Sequence, residues 1–266
     1  MPDKIAQVSS MHRFFIPAEF IRRETVAIKG GLVHQIRDVL RLQAGDRIAV
    51  LDNSGWEYEV ALEKVSRELI EGTVCEKVII AEPGTEIVLY QALLRSTKFE
   101  FVLQKCTEIG VSAFVPVICE RCVARYPSGD RLERWCRIIA EAAEQSGRGK
   151  LPQLRPAIQF HQACQSLAGS SFIAQVEGVA PGLRSALRSK PLDTSCDVLA
   201  KVNLFIGPEG DFSPSELEVA SRCGIVPVSL GKRVLRAETA GLTVATAILY
   251  ESGDLEPEPP LNTDAT

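Results

Sequence analysis

Two segments near the C-terminus of this 266-residue chain limit its fold more than any other part of the sequence. Each runs from a short apolar stretch through a glycine-containing turn to a predicted helix start; they are residues 204–216, LFIGPEGDFSPSE, and residues 229–240, SLGKRVLRAETA. Two strand ends with loops and charges in one small region predict a ligand pocket built largely from backbone groups. The alternative is two ordinary strand–turn–helix connections with glycines in their loops.

The first segment carries a clear helix-start signal. The apolar run 202–206 predicts a buried strand that ends at a Gly-Pro pair. Ser213 stands three residues before Glu216, with a proline between them, so a capping box and a proline in the first turn both predict a helix start. Gly207 and Gly210 lack a Cβ, and we expect them to let a ligand approach the main chain.

The second segment repeats this arrangement with more charge. The apolar run 225–230 predicts a strand that ends at Gly231, and the chain then passes Arg236 and Glu238 into a predicted helix over 240–250. An isolated pair such as Arg236 and Glu238 is often only a solvated ion pair. Its position beside a second strand end favours a site.

Apolar strand patterns alternate with helical patterns in the C-terminal two thirds of the chain. The strongest helix pattern covers 129–146, and the predicted strands are 87–93, 113–118, 172–176, 202–206 and 226–230. This alternation predicts a parallel α/β sheet. Because threaded chains are rare, the pattern by itself predicts an unknotted, doubly wound sheet. The sequence has no G-x-G-x-x-G and no P-loop motif.

The N-terminal third has a different pattern of short segments separated by turns. A helical piece at 31–40 interrupts predicted strands at 25–28, 47–51, 57–65 and 69–78. These short strands predict a small β-barrel, and Pro83-Gly84 is the predicted linker to the α/β region.

Charge is unevenly distributed along the chain, whose formal net charge is -4. The segment after Gly253 is acidic and proline-rich, which predicts a disordered tail. Two basic clusters fit either solvated surfaces or a phosphate backbone. They contain Arg13, Arg22, Arg23, Lys29, Arg37, Arg41 and Arg47, and Arg121, Arg125, Arg131, Arg134, Arg137, Arg148, Lys150 and Arg155.

The distribution of the eight cysteines indicates a reducing compartment. The cysteines are scattered through predicted strands and helices, which favours reduced packing residues over a disulfide framework. Cys119 and Cys122 have C-x-x-C spacing, but no second pair follows at zinc-site distance, so we expect no metal. No apolar run reaches membrane-spanning length, and we expect a cytoplasmic protein without membrane contact.

Five separated motifs together resemble one family, the knotted SPOUT methyltransferases that methylate N3 of a uridine in 16S ribosomal RNA of the small subunit. Two of the motifs are the C-terminal segments described above. The others are residues 95–111, RSTKFE followed by QKCTEIGV; residues 141–148, EAAEQSGR; and residues 39–46, with Val-Leu-Arg and Gly-Asp. Several motifs in one order are far more specific than any single pattern.

The resemblance implies an α/β fold with features that the residue pattern does not predict. They are a SPOUT domain over 83–253 with a deep C-terminal trefoil knot and a parallel sheet, and a PUA-like RNA-binding β-barrel over 1–82; residues 254–266 would be the acidic tail. It also implies a homodimer formed through the knotted domain, S-adenosyl-L-methionine as cofactor, and 16S ribosomal RNA or the small ribosomal subunit as partner.

The resemblance also implies roles for individual residues. Arg236 is the first candidate for stabilising negative charge on the uracil, with Glu238 orienting it and Glu209 accepting a proton or binding cofactor. Cofactor contacts are expected from Phe205, Ile206, Gly207, Pro208, Gly210, Leu230, Gly231, Val234, Leu235 and Ala240. RNA contacts are expected from Arg13, Arg41, Arg95, Lys98 and Arg148.

Two positions depart from the family pattern. Asp211 replaces a glycine that commonly follows Gly-Pro-Glu-Gly, and Ala237 replaces a residue that is often threonine. Two alternatives stay open at this level: a non-catalytic RNA-binding ribosome-assembly factor, and a knotted methyltransferase that acts on transfer RNA. For Glu144 and Gln145, we expect support of a sheet edge or of the dimer.

Overall fold

A computed structural model describes residues 11–124, 126–165, 167–176, 180–189 and 200–256. The chain forms two compact units. The first comprises Met1–Glu82 and Ala140–Leu151, and the second comprises Pro83–Ile139 and Pro152–Thr266. The boundary at Glu82 coincides with the predicted linker, whereas no sequence signal pointed to the inclusion of Ala140–Leu151 in the first unit. Arg125, Cys196 and residues 257–266 of the predicted tail lie outside the described residues.

The first unit contains a six-stranded sheet with the order β1-β4-β5-β6-β3-β2. The pair β1 and β4 is parallel, and the other neighbours are antiparallel. Strand β4 occupies the predicted residues, and β3, β5 and β6 differ from prediction by one residue at an end. The strands are β1 (Arg13–Phe15), β2 (Ile21–Arg22), β3 (Thr25–Lys29), β4 (Arg47–Leu51), β5 (Trp56–Val65) and β6 (Leu69–Ile79).

The second unit contains a seven-stranded sheet in which every pair is parallel, as the alternating pattern predicted. Its order is β10-β8-β7-β12-β11-β13, and β9 pairs with β8. The central strands are buried almost completely, as expected for a parallel sheet. The strands are β7 (Thr85–Ala92), β8 (Ala113–Ile118), β9 (Gln153–Leu154), β10 (Ile158–Gln159), β11 (Ser170–Ala174), β12 (Ala200–Ile206) and β13 (Val226–Val228).

The predicted helices are present, but two of them differ from prediction. The helix expected over 240–250 begins at Ala237. The predicted helix at 31–40 is α-helical only over its first four residues; it continues as a wider π turn over Gln35–Val39, in which the Leu40 amide donates to the Gln35 carbonyl oxygen at 3.0 Å. The α-helices are α1 (Gly31–His34), α2 (Ser96–Ile109), α3 (Gly129–Ser146), α4 (Phe160–Ala163), α5 (Leu183–Ser189), α6 (Pro214–Arg222) and α7 (Ala237–Glu251).

The predicted start of α6 is confirmed in detail. The Ser213 hydroxyl accepts a hydrogen bond from the Glu216 amide at 3.3 Å, and the Glu216 carboxylate accepts one from the Ser213 amide at 2.9 Å. This capping box satisfies two amides that a helix start leaves without partners. The capping box therefore fixes the end of the loop after β12 at Ser213.

Glu82 holds the residues after α3 within the first unit. Its carboxylate accepts hydrogen bonds from the Arg148 Nη2 at 2.6 Å and from the amides of Gly149 and Lys150 at 2.9 and 3.0 Å. Arg148 is only 8% exposed. This burial argues against the expected contact of Arg148 with RNA, because the guanidinium is committed to an internal ion pair whose loss would leave a buried charge.

Glu144 supports the edge of the first sheet, in agreement with one of the two roles expected for it. Its Oε1 accepts a hydrogen bond from the Phe15 amide at 2.9 Å, and Phe15 lies in edge strand β1. Burial raises the pKa of the Glu144 carboxyl and the charge of Glu141 raises it further, while the bond from Phe15 opposes them. A side chain at this position therefore supports the sheet edge mainly through its acceptor oxygen and less through its charge.

The proposed tail begins with a residue that is bonded to the sheet. Asp254 accepts hydrogen bonds from the amides of Gly84 and Thr85, at the start of β7, and from the Ser252 hydroxyl at 2.6 Å. The ordered chain therefore extends past Gly253 to at least this carboxylate.

Substitution of Glu144 separates its charge from its hydrogen bond. Because the folded state raises the pKa of Glu144, folding is favoured most below the unfolded pKa, and this contribution is lost as pH rises through the folded pKa. We expect Glu144→Gln to keep the Phe15 bond and to be at least as stable as the native protein at pH 7, with its advantage shrinking towards pH 4. We expect Glu144→Ala, which lacks an acceptor, to lose about 1 kcal/mol.

Urea denaturation of both variants at the two pH values measures these free energies of unfolding. A Glu144→Gln variant that gains stability relative to the native protein on acidification would contradict the sign of the shift.

Candidate functional site

A cavity of about 410 Å³ lies at the carboxyl ends of β11, β12 and β13. Its volume falls within the range of small-molecule pockets. Both C-terminal segments identified in the sequence contribute to its walls, so the predicted pocket is present. The lining residues are Lys98, Ala174, Gln175, Val176, Ile206, Gly207, Pro208, Glu209, Asp211, Leu230, Gly231, Lys232, Arg233, Val234, Leu235, Arg236, Ala237 and Ala240.

The sheet order explains why the two segments meet. Strand β11 pairs with β12 on one side and with β13 on the other, so the two glycine-containing loops leave the sheet one strand apart. The residues after β11, from Ala174 to Val176, occupy the gap between them. Ligand crevices of open α/β sheets occur at such carboxyl ends, where the strand order changes direction.

The first loop contributes fewer of its residues to the cavity than the sequence suggested. Ile206, Gly207 and Pro208 line it, whereas Phe205 and Gly210 do not. Phe205 is fully buried and stacks on Tyr90 with 4.4 Å between ring centroids. Phe205 therefore belongs to the core, because alternate residues of a strand face opposite sides of the sheet.

Packing explains the two glycines of this loop. A Cβ on Gly207 would lie 3.1 Å from the ring of Phe212, and a Cβ on Gly210 would lie 3.3 Å from the Arg121 Cβ. Arg121 also donates from Nη1 to the Gly210 carbonyl oxygen at 2.8 Å. The Arg121 side chain therefore packs against Gly210.

The second loop lines the cavity over its whole length. Leu230, Gly231, Val234, Leu235 and Ala240 all contribute to the wall, as the sequence suggested. Gly231 has a φ of 100°, which a residue with a side chain rarely adopts. Val234 is 75% exposed, so the loop presents an apolar side chain at the mouth of the cavity.

Lys98 stands between two carboxylates at one side of the cavity. Its Nζ lies 3.0 Å from Glu209 Oε1 and 3.7 Å from Glu238 Oε2. The Glu238 Oε2 is buried and accepts no hydrogen bond from the described residues. The sequence paired Glu238 with Arg236, but the charged partner of Glu238 in the structure is Lys98, which the sequence assigned to RNA.

The ionisation of Glu209 follows from these neighbours. Burial alone raises the pKa of its carboxyl, but the hydrogen bond from Lys98 and the charges of Lys98 and Arg95 bring that pKa below its ordinary value. Glu209 is therefore an anion at neutral pH. It is better suited to accept hydrogen bonds than to store a proton.

Three cations of the second loop remain available at the cavity. Lys232, Arg233 and Arg236 line it, are exposed, and form no ion pair with any residue that the structure describes. Arg236 precedes α7 as its N-cap residue without making a side-chain capping bond. Its guanidinium therefore does not stabilise the start of α7.

The other residues assigned to RNA lie elsewhere. Arg95 is exposed at the N-terminus of α2, near Glu209. In the first unit, Arg13 forms an ion pair with Glu57 at 2.7 Å, and Arg41 is exposed with a φ of 58°.

Sequence reasoning missed part of the wall. Ala174, Gln175 and Val176 were expected only as a strand, and Asp211 only as a departure from a pattern. The sole signal for residues 174–176 is that a third apolar strand precedes the two segments, and no sequence pattern places that strand between them.

Within the described ranges, no cluster of three or more His, Cys, Asp or Glu side chains is arranged to hold a metal ion. The seven cysteines of those ranges are free; Cys119 is buried and Cys122 partly so. In the part of the chain that the structure covers, no helix combines the length and apolarity needed to cross a membrane.

Comparison with known proteins agrees with this site. The family model for an RNA methyltransferase domain matches residues 81–249, which include every residue of the cavity. Ribosomal RNA small subunit methyltransferase E of Synechocystis sp. is 37% identical over 89% of this chain and 76% of its own length. The protein of the same name from Bacillus subtilis is 30% identical over 91% of this chain and 97% of its own length.

A solved structure is similar over nearly the same extent. Ribosomal RNA small subunit methyltransferase E from Neisseria gonorrhoeae, bound to S-adenosyl methionine, has a TM-score of 0.79 and 28% identity, covering 91% of this chain and 98% of that chain. The matched family model and the identity to full-length relatives together place the chain: it belongs to the ribosomal RNA small subunit methyltransferase E family.

Proposed function

We propose that this protein transfers a methyl group from S-adenosyl-L-methionine to N3 of a uridine in small-subunit ribosomal RNA. Membership of the family supports an S-adenosylmethionine-dependent ribosomal RNA methyltransferase. The observation that carries the proposal within this chain is the cavity at the carboxyl ends of β11 to β13, with three cations at its wall that lack ion-pair partners in the described structure.

The cavity fits the cofactor in chemistry as well as in size. Its wall combines apolar side chains with backbone groups of two loops, which suits a ligand with an adenine ring and several polar groups. The backbone of residues 206–209 and 230–236 and the buried side of Ala240 would hold it. When bound, the cofactor supplies an activated methyl group.

Methylation at N3 requires that the imide proton leaves and that the base is aligned with the methyl donor. The reaction breaks the sulfur–methyl bond, forms a nitrogen–methyl bond and releases S-adenosylhomocysteine, while the N3 proton passes to water, so positioning supplies much of the catalysis. Loss of the proton places negative charge on the uracil oxygens. Arg236 lines the cavity without an ion-pair partner among the described residues, and its charge would stabilise that anion.

The group formed by Lys98, Glu209 and Glu238 has a different role. Its two carboxylates exceed the single ammonium, so the group is net negative and does not by itself stabilise the uracil anion. Glu209 lines the cavity as an anion and would accept hydrogen bonds from the ligand. Lys98 holds both carboxylates in place, and the buried Glu238 oxygen retains an unused acceptor site.

RNA would be held by exposed cations, some of which also line the cavity. Lys232, Arg233 and Arg95 are exposed in the second unit, and Arg41 is exposed in the first. We propose that the mixed sheet of the first unit is a PUA-like RNA-binding barrel. The six-stranded, mostly antiparallel sheet and the helical turn between β3 and β4 support this proposal.

We further propose that the second unit is knotted. Strand β12 inserts between β7 and β11, and α7, which follows the second loop, returns to pack on β7, β12 and α2. A chain segment that returns to the middle of the sheet after the last strand is the element that a trefoil knot would thread. We also propose a homodimer formed through this unit and a cytoplasmic location, which the ribosomal substrate requires.

Mass spectrometry of nucleosides tests the reaction directly. The protein is incubated with small-subunit RNA, with assembled small subunits and with transfer RNA, each with isotope-labelled S-adenosylmethionine. We expect labelled N3-methyluridine only from the small-subunit substrates. Label in transfer RNA alone, or cofactor binding without label in any RNA, would overturn the proposal in favour of a different substrate or a non-catalytic factor.

Arg236→Ala tests the stabilisation of the uracil anion. We expect the methylation rate to fall about 100-fold or more, because a charge beside the developing anion is removed. The variant removes no core volume and no capping bond, so its thermal unfolding midpoint should match that of the native protein. Arg222→Ala, in an exposed pair with Glu218 on α6, is the matched control and should retain full activity.

Lys98→Met tests the link between the lysine and Glu209. Without the Lys98 ammonium, burial becomes the main influence on the pKa of Glu209. We therefore expect that pKa to rise and the methylation rate to fall. Carbon-13 NMR of labelled glutamate carboxyls measures the titration. Lys105→Met, which removes the partner of Glu108 on the same helix, should leave the Glu209 titration unchanged. An unshifted Glu209 in Lys98→Met would refute the coupling.

A further inference from the structure

Asp211 has an unusual backbone conformation at the wall of the cavity. Its φ is 58°, in the left-handed region that glycine adopts without strain and that other residues adopt at a cost. Aspartate tolerates this region better than most residues, but it gains nothing from it by itself. A strained residue that lines a ligand cavity suggests a task for its side chain.

The Asp211 side chain joins two walls of the cavity. Its Oδ2 accepts a hydrogen bond from the Val176 amide at 3.3 Å, just beyond the end of β11. Its Oδ1 accepts one from the Phe212 amide at 2.9 Å, and the Asp211 amide donates to the Pro208 carbonyl oxygen at 3.0 Å. The loop after β12 is thereby tied to the chain that leaves β11.

The carboxylate still has capacity for a ligand. Two oxygens offer about four acceptor positions in total, and backbone amides use two of them. Among the described residues, Asp211 forms no ion pair, unlike Glu209 and Glu238, which share Lys98. The carboxylate leans over Gly207, where a Cβ would lie 3.2 Å from Asp211 Oδ1, and Gly207 also lines the cavity.

We propose that Asp211 is a specificity residue for the cofactor: it fixes the end of β11 against the loop after β12 and accepts hydrogen bonds from a donor-bearing part of the ligand. This inference rests on the proposed function. S-Adenosylmethionine carries three such parts, which are the amino group of its methionine portion, the hydroxyls of its ribose and the exocyclic amino group of its adenine. An anionic acceptor without a cationic partner suits any of them, and charge-assisted hydrogen bonds are stronger than neutral ones.

Calorimetric titration of two variants with S-adenosylmethionine tests the proposal. Asp211→Asn tolerates the left-handed backbone and retains one acceptor oxygen but loses the charge. Asp211→Gly removes the side chain together with the backbone strain. We expect the Kd of both to rise by about tenfold or more, because a charge-assisted bond is lost. We also expect KM for the cofactor to rise while kcat changes less.

Two shorter ligands identify the part that Asp211 contacts. 5′-Methylthioadenosine contains the ribose and the adenine but lacks the amino group of the methionine portion, and S-adenosylhomocysteine contains all three. If Asp211→Asn weakens both ligands, the contact lies in the adenosine portion, at the ribose or the adenine amino group; if it weakens only S-adenosylhomocysteine, the contact is the amino group of the methionine portion. Glu218→Gln, an exposed carboxylate on α6, is the control and should bind like the native protein.

Failure of the inference can be distinguished from failure of the proposed function. If the native protein binds the cofactor and methylates RNA while both Asp211 variants bind within about twofold of it, the role of Asp211 is refuted and the function stands. If the native protein does not bind the cofactor, the proposed function fails and the inference fails with it. Thermal unfolding confirms that each variant is folded before titration.

Discussion

The site depends on the parallel pairing of β11 with two neighbours at once. Because β12 and β13 flank it, the loops that follow them lie on either side of the residues that follow β11. The chain supplies these three strands in the order β11, β12, β13, but the sheet places the earliest strand in the middle. A cavity between two loops that are separated by one strand follows from this order, and so do its backbone-rich walls.

Charged side chains at the cavity form two groups. In the first group, Lys98 lies between Glu209 and Glu238 and has little positive charge to offer a ligand. In the second, Lys232, Arg233 and Arg236 lack ion-pair partners among the described residues and are exposed. The first group provides fixed acceptors for a polar ligand, and the open cations suit an anionic one. A site that joins a small cofactor to an RNA needs both.

The sequence predicted local structure well because local signals are strong there. The capping box at Ser213 and Glu216, the helix over 129–146 and strand β4 are all found at the predicted residues. Strand order could not be predicted, since an apolar run does not identify its neighbours. Nor could the sequence show that the Phe205 side chain is buried in the core and does not line the cavity.

Ion pairs between residues far apart in the sequence could not be predicted either. The family resemblance led us to expect an RNA contact from Arg148, but its partner Glu82 is 66 residues away in the sequence. Lys98 was assigned to RNA in the same way, and its partner Glu209 is 111 residues away. A count of charges along the chain cannot separate a cation that is already neutralised from one that is available. That distinction required the folded structure.

The composition of the first unit has a consequence for dissecting this protein. Helix α3 begins in the second unit, and the chain from Ala140 to Leu151 belongs to the first. A cut at the linker after Glu82 therefore does not yield two self-contained pieces. The N-terminal piece would lose the acceptor for the Phe15 amide and the guanidinium that neutralises Glu82, and the C-terminal piece would carry Glu144 and Arg148 without their partners. In evolutionary terms, neither unit can be exchanged for a homologous one as a single uninterrupted stretch of gene.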